Sequence, residues 1–230
     1  MKEILSDSLF FGVGISVGAY LLGTFIKKKC NFFLFNPLLI AITTTIATLL
    51  VTGIEYQHYY NGAKYLSYLL TPATVALAIP LYEQVKSLKS NLTAILIGIS
   101  SGVLTSSVSI FAMSLLFRLG HTEYVTLLPK SITTAIGIGL SEELNGYVAI
   151  TVSAIMITGL FGNIAGAAIC RLFGIKHPVA TGIAIGTATH VMGTAKAMEV
   201  GEVEGAMSSL SVAVAGCITV GVAIIFEGFI

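Results

Sequence analysis

The stretch Gly186-Thr-Ala-Thr-His-Val-Met-Gly-Thr-Ala-Lys-Ala-Met-Glu-Val-Gly-Glu-Val-Glu-Gly205 sets His190, Lys196, Glu199, Glu202 and Glu204 among threonines, between apolar runs. Ionisable groups at membrane depth are costly, so they face a protein interior or a watery cavity and serve an ion or substrate path. The stretch is Gly-rich, which suits an interrupted or closely packed helix, and on a helix starting near Pro178, Thr187, His190 and Thr194 fall at i, i+3 and i+7 and share a face. A histidine there can carry a proton or bond a carboxylate. Gly182, Gly186 and Gly193 leave room for a neighbouring helix or a ligand. The plainer alternative is a satisfied, buried histidine. Lys196 and Glu199, at i and i+3, can neutralise each other. Glu202 and Glu204 cannot share a helical face, and suit either a gate or a solvated connector.

A second constellation is Leu128-Pro129-Lys130-Ser131-Ile-Thr133-Thr134. Proline is favoured at the first position of a helix, where its missing N–H has no intrahelical partner. A helix starting at Pro129 would leave free amides beside Lys130, Ser131, Thr133 and Thr134. Charge, hydroxyls and helix-start amides together make an anion site. The alternative is a lysine that snorkels to the membrane surface. Thr71-Pro72-Ala-Thr74 repeats the pattern, at an offset of 129 − 72 = 57 residues. That predicts an internal repeat with two half-helix starts of the kind that hold anions near the bilayer midplane. Pro72 and Pro129 as plain kinks is the competing reading. Asn163, an amide among small residues, suits bonding across helices. Glu142 and Glu143 read as solvated, or at most a gate.

The elements that must position these groups are apolar. Mean hydropathy is +0.93 and only 10% of the 230 residues are charged, too little polar surface to solvate a globule of this size. Apolar runs lie near 8–26, 36–54, 65–85, 92–118, 147–172 and 206–226, with shorter ones near 127–140 and 179–198. A bilayer crossing takes about 20 apolar residues. The expectation is an all-α integral membrane protein: one polytopic domain over 1–230, a bundle of about six to eight membrane segments, some broken by Pro or Gly or re-entrant. Lys27, Lys28 and Lys29 place the end of the first helix in the cytoplasm by the positive-inside rule, and Lys86 and Lys89 agree. Arg171 and Lys176 also fall inside if 127–145 dips into the membrane and returns, which favours a re-entrant segment there. The first helix reads as retained rather than a cleaved leader.

Other classes find little support. Cys30, Cys170 and Cys217 have no metal-ligand spacing and read as packing residues, so no metal or cofactor is expected. The chain has no hydrolase or nucleotide-binding motif, which speaks against an enzyme and against transport driven by its own nucleotide hydrolysis. A net charge of +1 without a basic patch gives no reason to expect nucleic acid.

At Leu128-Pro-Lys-Ser-Ile-Thr-Thr-Ala-Ile136, at Gly186-Thr-Ala-Thr-His-Val-Met-Gly-Thr-Ala-Lys-Ala with Gly201-Glu-Val-Glu-Gly205, and at the Pro72 segment, the chain closely resembles the LrgB/CidB family. The resemblance covers nearly the whole chain. That family includes bacterial membrane proteins labelled antiholin-like and the plastidial glycolate/glycerate translocator. The resemblance implies transport of small monocarboxylates such as glycolate, glycerate or pyruvate, with an LrgA/CidA-type membrane partner. It marks Pro129, Lys130, Ser131, Thr133, Thr134, His190, Gly193, Thr194, Lys196, Glu202 and Glu204 as motif positions. The chain departs from the pattern at Ala135, where many relatives carry proline, and at Lys196, where arginine is associated with the motif. Lysine keeps the charge without a bidentate grip.

The resulting expectation is a homo-oligomeric, multi-pass carrier in the bacterial plasma membrane, working by alternating access with protons as candidate coupling ion. Lys130, Ser131, Thr133, Thr134, Thr74, Thr187, His190, Thr194 and Lys196 would bind substrate. Pro72, Pro129, Asn163, Gly193, Glu202 and Glu204 would gate or support. The rival reading is a holin/antiholin-like protein that modulates murein hydrolase activity and cell lysis through self-association.

Overall fold

The computed structural model describes residues 9–30, 35–69, 72, 75–76, 78–83 and 85–230. These are helical throughout apart from short turns, and the chain packs as two compact units, Met1–Ala76 and Leu77–Ile230.

The first unit holds α1 (Leu9–Lys29), α2 (Pro37–Thr52) and α3 (Tyr56–Ser67). Local signals set α2: Asn36 caps its start, accepting from Leu38 N at 2.9 Å, Pro37 follows, and Gly53 ends it at φ 64°. Ser16 and the Tyr59 hydroxyl bond at 2.8 Å, joining α1 to α3. A Cβ at Gly12 would collide with the Tyr59 and Ala63 backbone, so glycine permits that approach.

The second unit holds α4 (Ala78–Glu83), α5 (Val85–Phe117), α6 (His121–Leu127), α7 (Thr134–Glu143), α8 (Val148–Leu172), α9 (Pro178–Val200) and α10 (Glu202–Glu227). Its core is built where α5, α9 and α10 meet, with Ile95, Ile99, Val179, Ile183, Ala206 and Met207 buried together. Gly182 and Gly186 let α9 lie directly on α10. A Cβ at Gly182 would come within 2.5 Å of Glu204 O, and one at Gly186 within 2.8 Å of Ser208 Cα.

Among the described residues four helices are long and apolar enough to cross a bilayer: Phe10–Lys29, Lys89–Phe117, Val148–Leu172 and Glu202–Glu227. The sequence suggests six to eight segments, and the difference has particular sources. Helix α2 is 16 residues long. The 65–85 run falls partly on residues outside those described, as does Thr74; Pro72 itself is helical and exposed. The 127–140 run is divided between α6, of 7 residues, and α7, of 10. At ~1.5 Å per residue, neither reaches across ~30 Å of hydrocarbon.

Two helix boundaries differ from expectation. Pro129 does not begin a helix: it sits in a turn in which Lys130 N donates to Leu127 O at 3.1 Å and Ile132 N to Pro129 O at 3.3 Å. The helix starts five residues on, at Thr134, after Thr133 turns extended at φ −64°, ψ 144°. The turn uses the Lys130 amide, so the free helix-start amides lie at Thr134 and Ala135 instead.

The other difference is in α9. Thr189 (φ −138°, ψ 15°) and His190 (φ 47°, ψ −147°) are not helical, and the helix is broken there. A histidine at positive φ is strained and persists only where its surroundings fix it. Here they do. His190 Nε2 lies 3.0 Å from Ile155 O, and because a carbonyl only accepts, Nε2 carries the proton and donates. Thr189 Oγ1 donates to Ile185 O at 2.7 Å, and Asn163 Nδ2 to Met192 O at 2.7 Å. Glycine tolerates the His190 backbone angles and alanine does not. His190→Gly is therefore expected to retain more thermal stability than His190→Ala, although both lose the same ring; equal melting temperatures would contradict the strain.

Candidate functional site

A cavity of about 740 Å³ lies between α5, α9 and the α6–α7 turn. Each wall comes from a local feature. The turn after Leu127 brings Lys130 and Ser131 to it. Helix α5 presents Gly98, Gly102, Thr105, Ser106 and Ser109 at helical spacing. The first half of α9 presents Ile183, Ala184, Thr187 and Ala188, with Asn91 and His177 also lining the space.

Lys130 is half-buried. Its Nζ donates to Ser106 Oγ at 3.3 Å and to Ser131 Oγ at 3.0 Å. Among the described residues no carboxylate pairs with it. A positive charge held by hydroxyls alone, within a largely apolar wall, attracts an anion more strongly than it would in water. Thr187 adds a hydroxyl that is buried and has no hydrogen-bond partner among the described residues. Leaving such a group unsatisfied costs about 1–3 kcal/mol.

The expected site residues separate accordingly. Lys130, Ser131 and Thr187 come together at the cavity. Thr133 and Thr134 are half-buried at the start of α7 and do not line it. The break in α9 divides the face that Thr187, His190 and Thr194 would share. His190 turns to Ile155 on α8, while Thr194 bonds Ser208 Oγ on α10 at 2.8 Å. Lys196 is a salt-bridge residue, 2.6 Å from Glu199 Oε2, and does not line the cavity. Asn163 bonds across helices to the segment after the break.

Gly193 abuts the Thr189 side chain, where any Cβ would collide. Glu202 and Glu204 occupy the first turn of α10, a favourable place for carboxylates against the helix dipole. Glu142 and Glu143 end α7 exposed. Among the described residues no group of three or more His, Cys, Asp or Glu side chains is placed to hold a metal ion.

The hydroxyls of α5 are absent from the sequence-derived set. Their signal is present: glycines and hydroxyls at 98, 102, 105, 106 and 109 form one stripe within an apolar run. Ser141, Thr151 and Thr126 are a second omission. Ser141 Oγ and Thr151 Oγ1 lie 2.7 Å apart, and Thr151 donates to Thr126 O at 2.8 Å, fastening the α7–α8 turn to α6.

Comparison with known proteins agrees with the motifs. Residues 16–228 match the LrgB-like family. The chain is 40% identical over 222 residues to the antiholin-like protein LrgB of Bacillus cereus, covering 96% of both chains. The same identity and coverage hold for the antiholin-like protein LrgB of Bacillus anthracis. No solved structure matches. The broken helix carrying His190, the turn carrying Lys130 and the acidic start of α10 all fall within the matched residues, and the chain belongs to the LrgB-like family.

Proposed function

We propose that this chain is an antiholin-like, multi-pass protein of the bacterial plasma membrane that assembles with further copies and with an LrgA/CidA-type partner to modulate membrane lesions, murein hydrolase activity and cell lysis. Its likeness to proteins named antiholin-like, 40% identical over 96% of its length, supports this reading. So do its outward apolar surfaces: Leu104, Val108 and Leu115 on α5 and Ile224 and Ile225 on α10 are exposed and suit lipid or another subunit. The test is dye release from liposomes permeabilised by the partner. Adding this chain is expected to change the release rate in proportion to its amount. An unchanged rate at every ratio contradicts the reading.

The Lys130 cavity favours a second, compatible reading: a carrier of small monocarboxylates such as glycolate, glycerate or pyruvate. Lys130 and Ser131 would hold the carboxylate, and Thr187 the adjacent hydroxyl or oxo group. The short α6 and α7 helices fit a segment that enters the membrane and returns to the same side, with the cavity against it. His190 serves in this account to hold the α9 break, about which the half-helix carrying Thr187 can move. Saturable, mutually competitive uptake of labelled glycolate, glycerate and pyruvate into proteoliposomes is the expected result. Release of trapped dye without such uptake leaves only the antiholin-like reading.

Thr187→Val separates binding from stability. It removes the unpartnered hydroxyl at nearly constant shape. Stability is expected to hold or rise, while affinity for glycolate falls about 2–10-fold, the worth of one net hydrogen bond. Unchanged affinity removes Thr187 from the site.

A further inference from the structure

We propose that α9 is a re-entrant hairpin rather than a membrane crossing, and that Lys130 is reached along it from the membrane face where α9 both enters and leaves. The proposal concerns access to the cavity and holds under either reading of its function. Both halves of α9 pack on α10, in opposite directions. In the first half, a Cβ at Gly182 would lie 3.0 Å from Glu204 Cα, and one at Gly186 would lie 2.8 Å from Ser208 Cα. Residue numbers rise together, so this half runs parallel to α10. In the second half, Thr194 bonds Ser208 Oγ at 2.8 Å, and Met198 Cα lies 3.1 Å from the place of a Cβ at Gly205. Here the numbers run oppositely, so this half is antiparallel to α10. The neighbours Glu204 and Gly205 thus touch Gly182 and Met198, which are 198 − 182 = 16 residues apart. On a straight helix those two would be about 24 Å apart, at ~1.5 Å per residue. The chain reverses between them, at the Thr189–His190 break with its positive φ.

The tip of the hairpin lies at membrane depth. Helix α8 has 25 residues and is apolar enough to cross. A Cβ at Gly162 would meet Thr189, and one at Gly166 would lie 3.6 Å from Ile185. The tip therefore sits beside Gly162, with 162 − 148 = 14 residues of α8 on one side and 172 − 162 = 10 on the other. Irregular backbone at such depth is tolerated where protein buries it and its polar groups are satisfied. Thr189 and His190 are buried. Thr189 Oγ1 donates to Ile185 O, Thr194 Oγ1 to His190 O and Asn163 Nδ2 to Met192 O. A hairpin also returns Lys196, Glu199, Glu202 and Glu204 to the membrane face of Arg171 and Lys176.

Helix α5 runs beside the first half of α9 in the same direction. A Cβ at Gly98 would lie 3.5 Å from Ile183 Cγ2, and one at Gly102 2.8 Å from Thr187 Cγ2. Lys130 bonds Ser106, one turn further, so its ammonium stands just past the tip. A single cavity extends from Asn91 and His177, near the starts of the two helices, to Lys130 and Ser131. Beyond Lys130 the next cavity, about 280 Å³, presents an apolar wall that includes Ile110, Met113 and Phe117, so water and ions meet Lys130 from the other end. Lys89 and Lys176, both exposed, adjoin the mouth at Asn91 and His177. Their charge draws anions toward it, and by the positive-inside rule this face is cytoplasmic.

Cysteine substitutions in the full chain test this in right-side-out and inverted membrane vesicles treated with a bulky, membrane-impermeant maleimide. Peptide mass spectrometry locates each label and separates it from the native Cys30, Cys170 and Cys217. Lys176→Cys and Glu202→Cys, at exposed positions just outside the two ends of α9, are expected to label in the same vesicle orientation. Glu143→Cys, exposed at the end of α7, should label in the opposite one. Labelling of Lys176→Cys and Glu202→Cys in opposite orientations would make α9 a crossing and overturn the hairpin. Ala188→Cys, exposed beside the tip and lining the cavity, reports access. The anionic sulfonatoethyl methanethiosulfonate is expected to modify it from the Lys176 side. Lys130→Met should slow that reaction about tenfold or more, the loss of charge focusing in a cleft, and leave the rate with neutral methyl methanethiosulfonate unchanged. Ala184→Cys reads the same wall if Ala188→Cys folds poorly. Modification from the opposite side alone, none at either position, or equal anionic rates with and without Lys130 overturns the access route.

Discussion

If the carrier reading holds, Lys130→Met is expected to lower affinity for glycolate by about one to two orders of magnitude, corresponding to the 1.5–3 kcal/mol carried by a hydrogen bond to a charged group. Because Lys130 pairs with no carboxylate among the described residues, its removal strands no opposite charge. Ser106 and Ser131 lose a donor but stay at the wall of a cavity that admits water. Folded yield and melting temperature should therefore remain near those of the parent chain. Lys130→Arg should keep part of the affinity, since it retains the charge but fills more of the cavity. Isothermal titration of the purified full chain measures all three proteins. Equal affinity in Lys130→Met would leave the lysine as a surface anchor only.

Gly162→Ala is expected to have the largest effect on folding. The Thr189 side chain occupies the place a Cβ would take, and Thr189 is fixed there by its bond to Ile185 O and by the adjoining His190. Relief would need α8 to move from α9 or the break to reset, and overpacking of this kind costs about 1–3 kcal/mol or more. A marked fall in folded yield and melting temperature should follow. Gly221 is the control: it lies within α10 and has nothing within 4 Å of a built Cβ. Gly221→Ala should be neutral or stabilise by about 0.5–1 kcal/mol through helix propensity. Similar melting temperatures for the two variants would contradict the close packing at the break.

How much of this was legible in the sequence follows from physical cause. Apolar length and Lys-rich ends announce membrane helices, and α5, α8 and α10 lie where the hydropathy places them. That Lys130 and Ser131 belong together was readable, and both line one cavity; an anion held there is the proposal. The Gly-rich stretch suggested an interrupted helix, but not where the break falls, because the shared face of Thr187, His190 and Thr194 assumes a continuous one. Nothing local at Thr189 and His190 resembles a breaker, and the positive φ is imposed from outside by Ile155 O and the room left at Gly159 and Gly162. That assumption wrongly grouped His190 and Thr194 with Thr187. The helix start moved from Pro129 to Thr134 because proline suits a turn as readily as a first helical residue. The α5 stripe was readable but is easily taken for helix-packing residues, as small and hydroxyl side chains serve both purposes.

The measurement that bears most directly on the central claim is equilibrium binding of labelled glycolate to the purified full chain and to Lys130→Met, with glycerate and pyruvate as competitors. It requires neither a partner chain nor a gradient, so a missing subunit does not obscure it. Saturable binding in the parent that both competitors displace and that Lys130→Met loses is the expected result. Absence of saturable binding in the parent, or equal binding in the two proteins, would contradict an anion site at Lys130 and leave the antiholin-like reading alone.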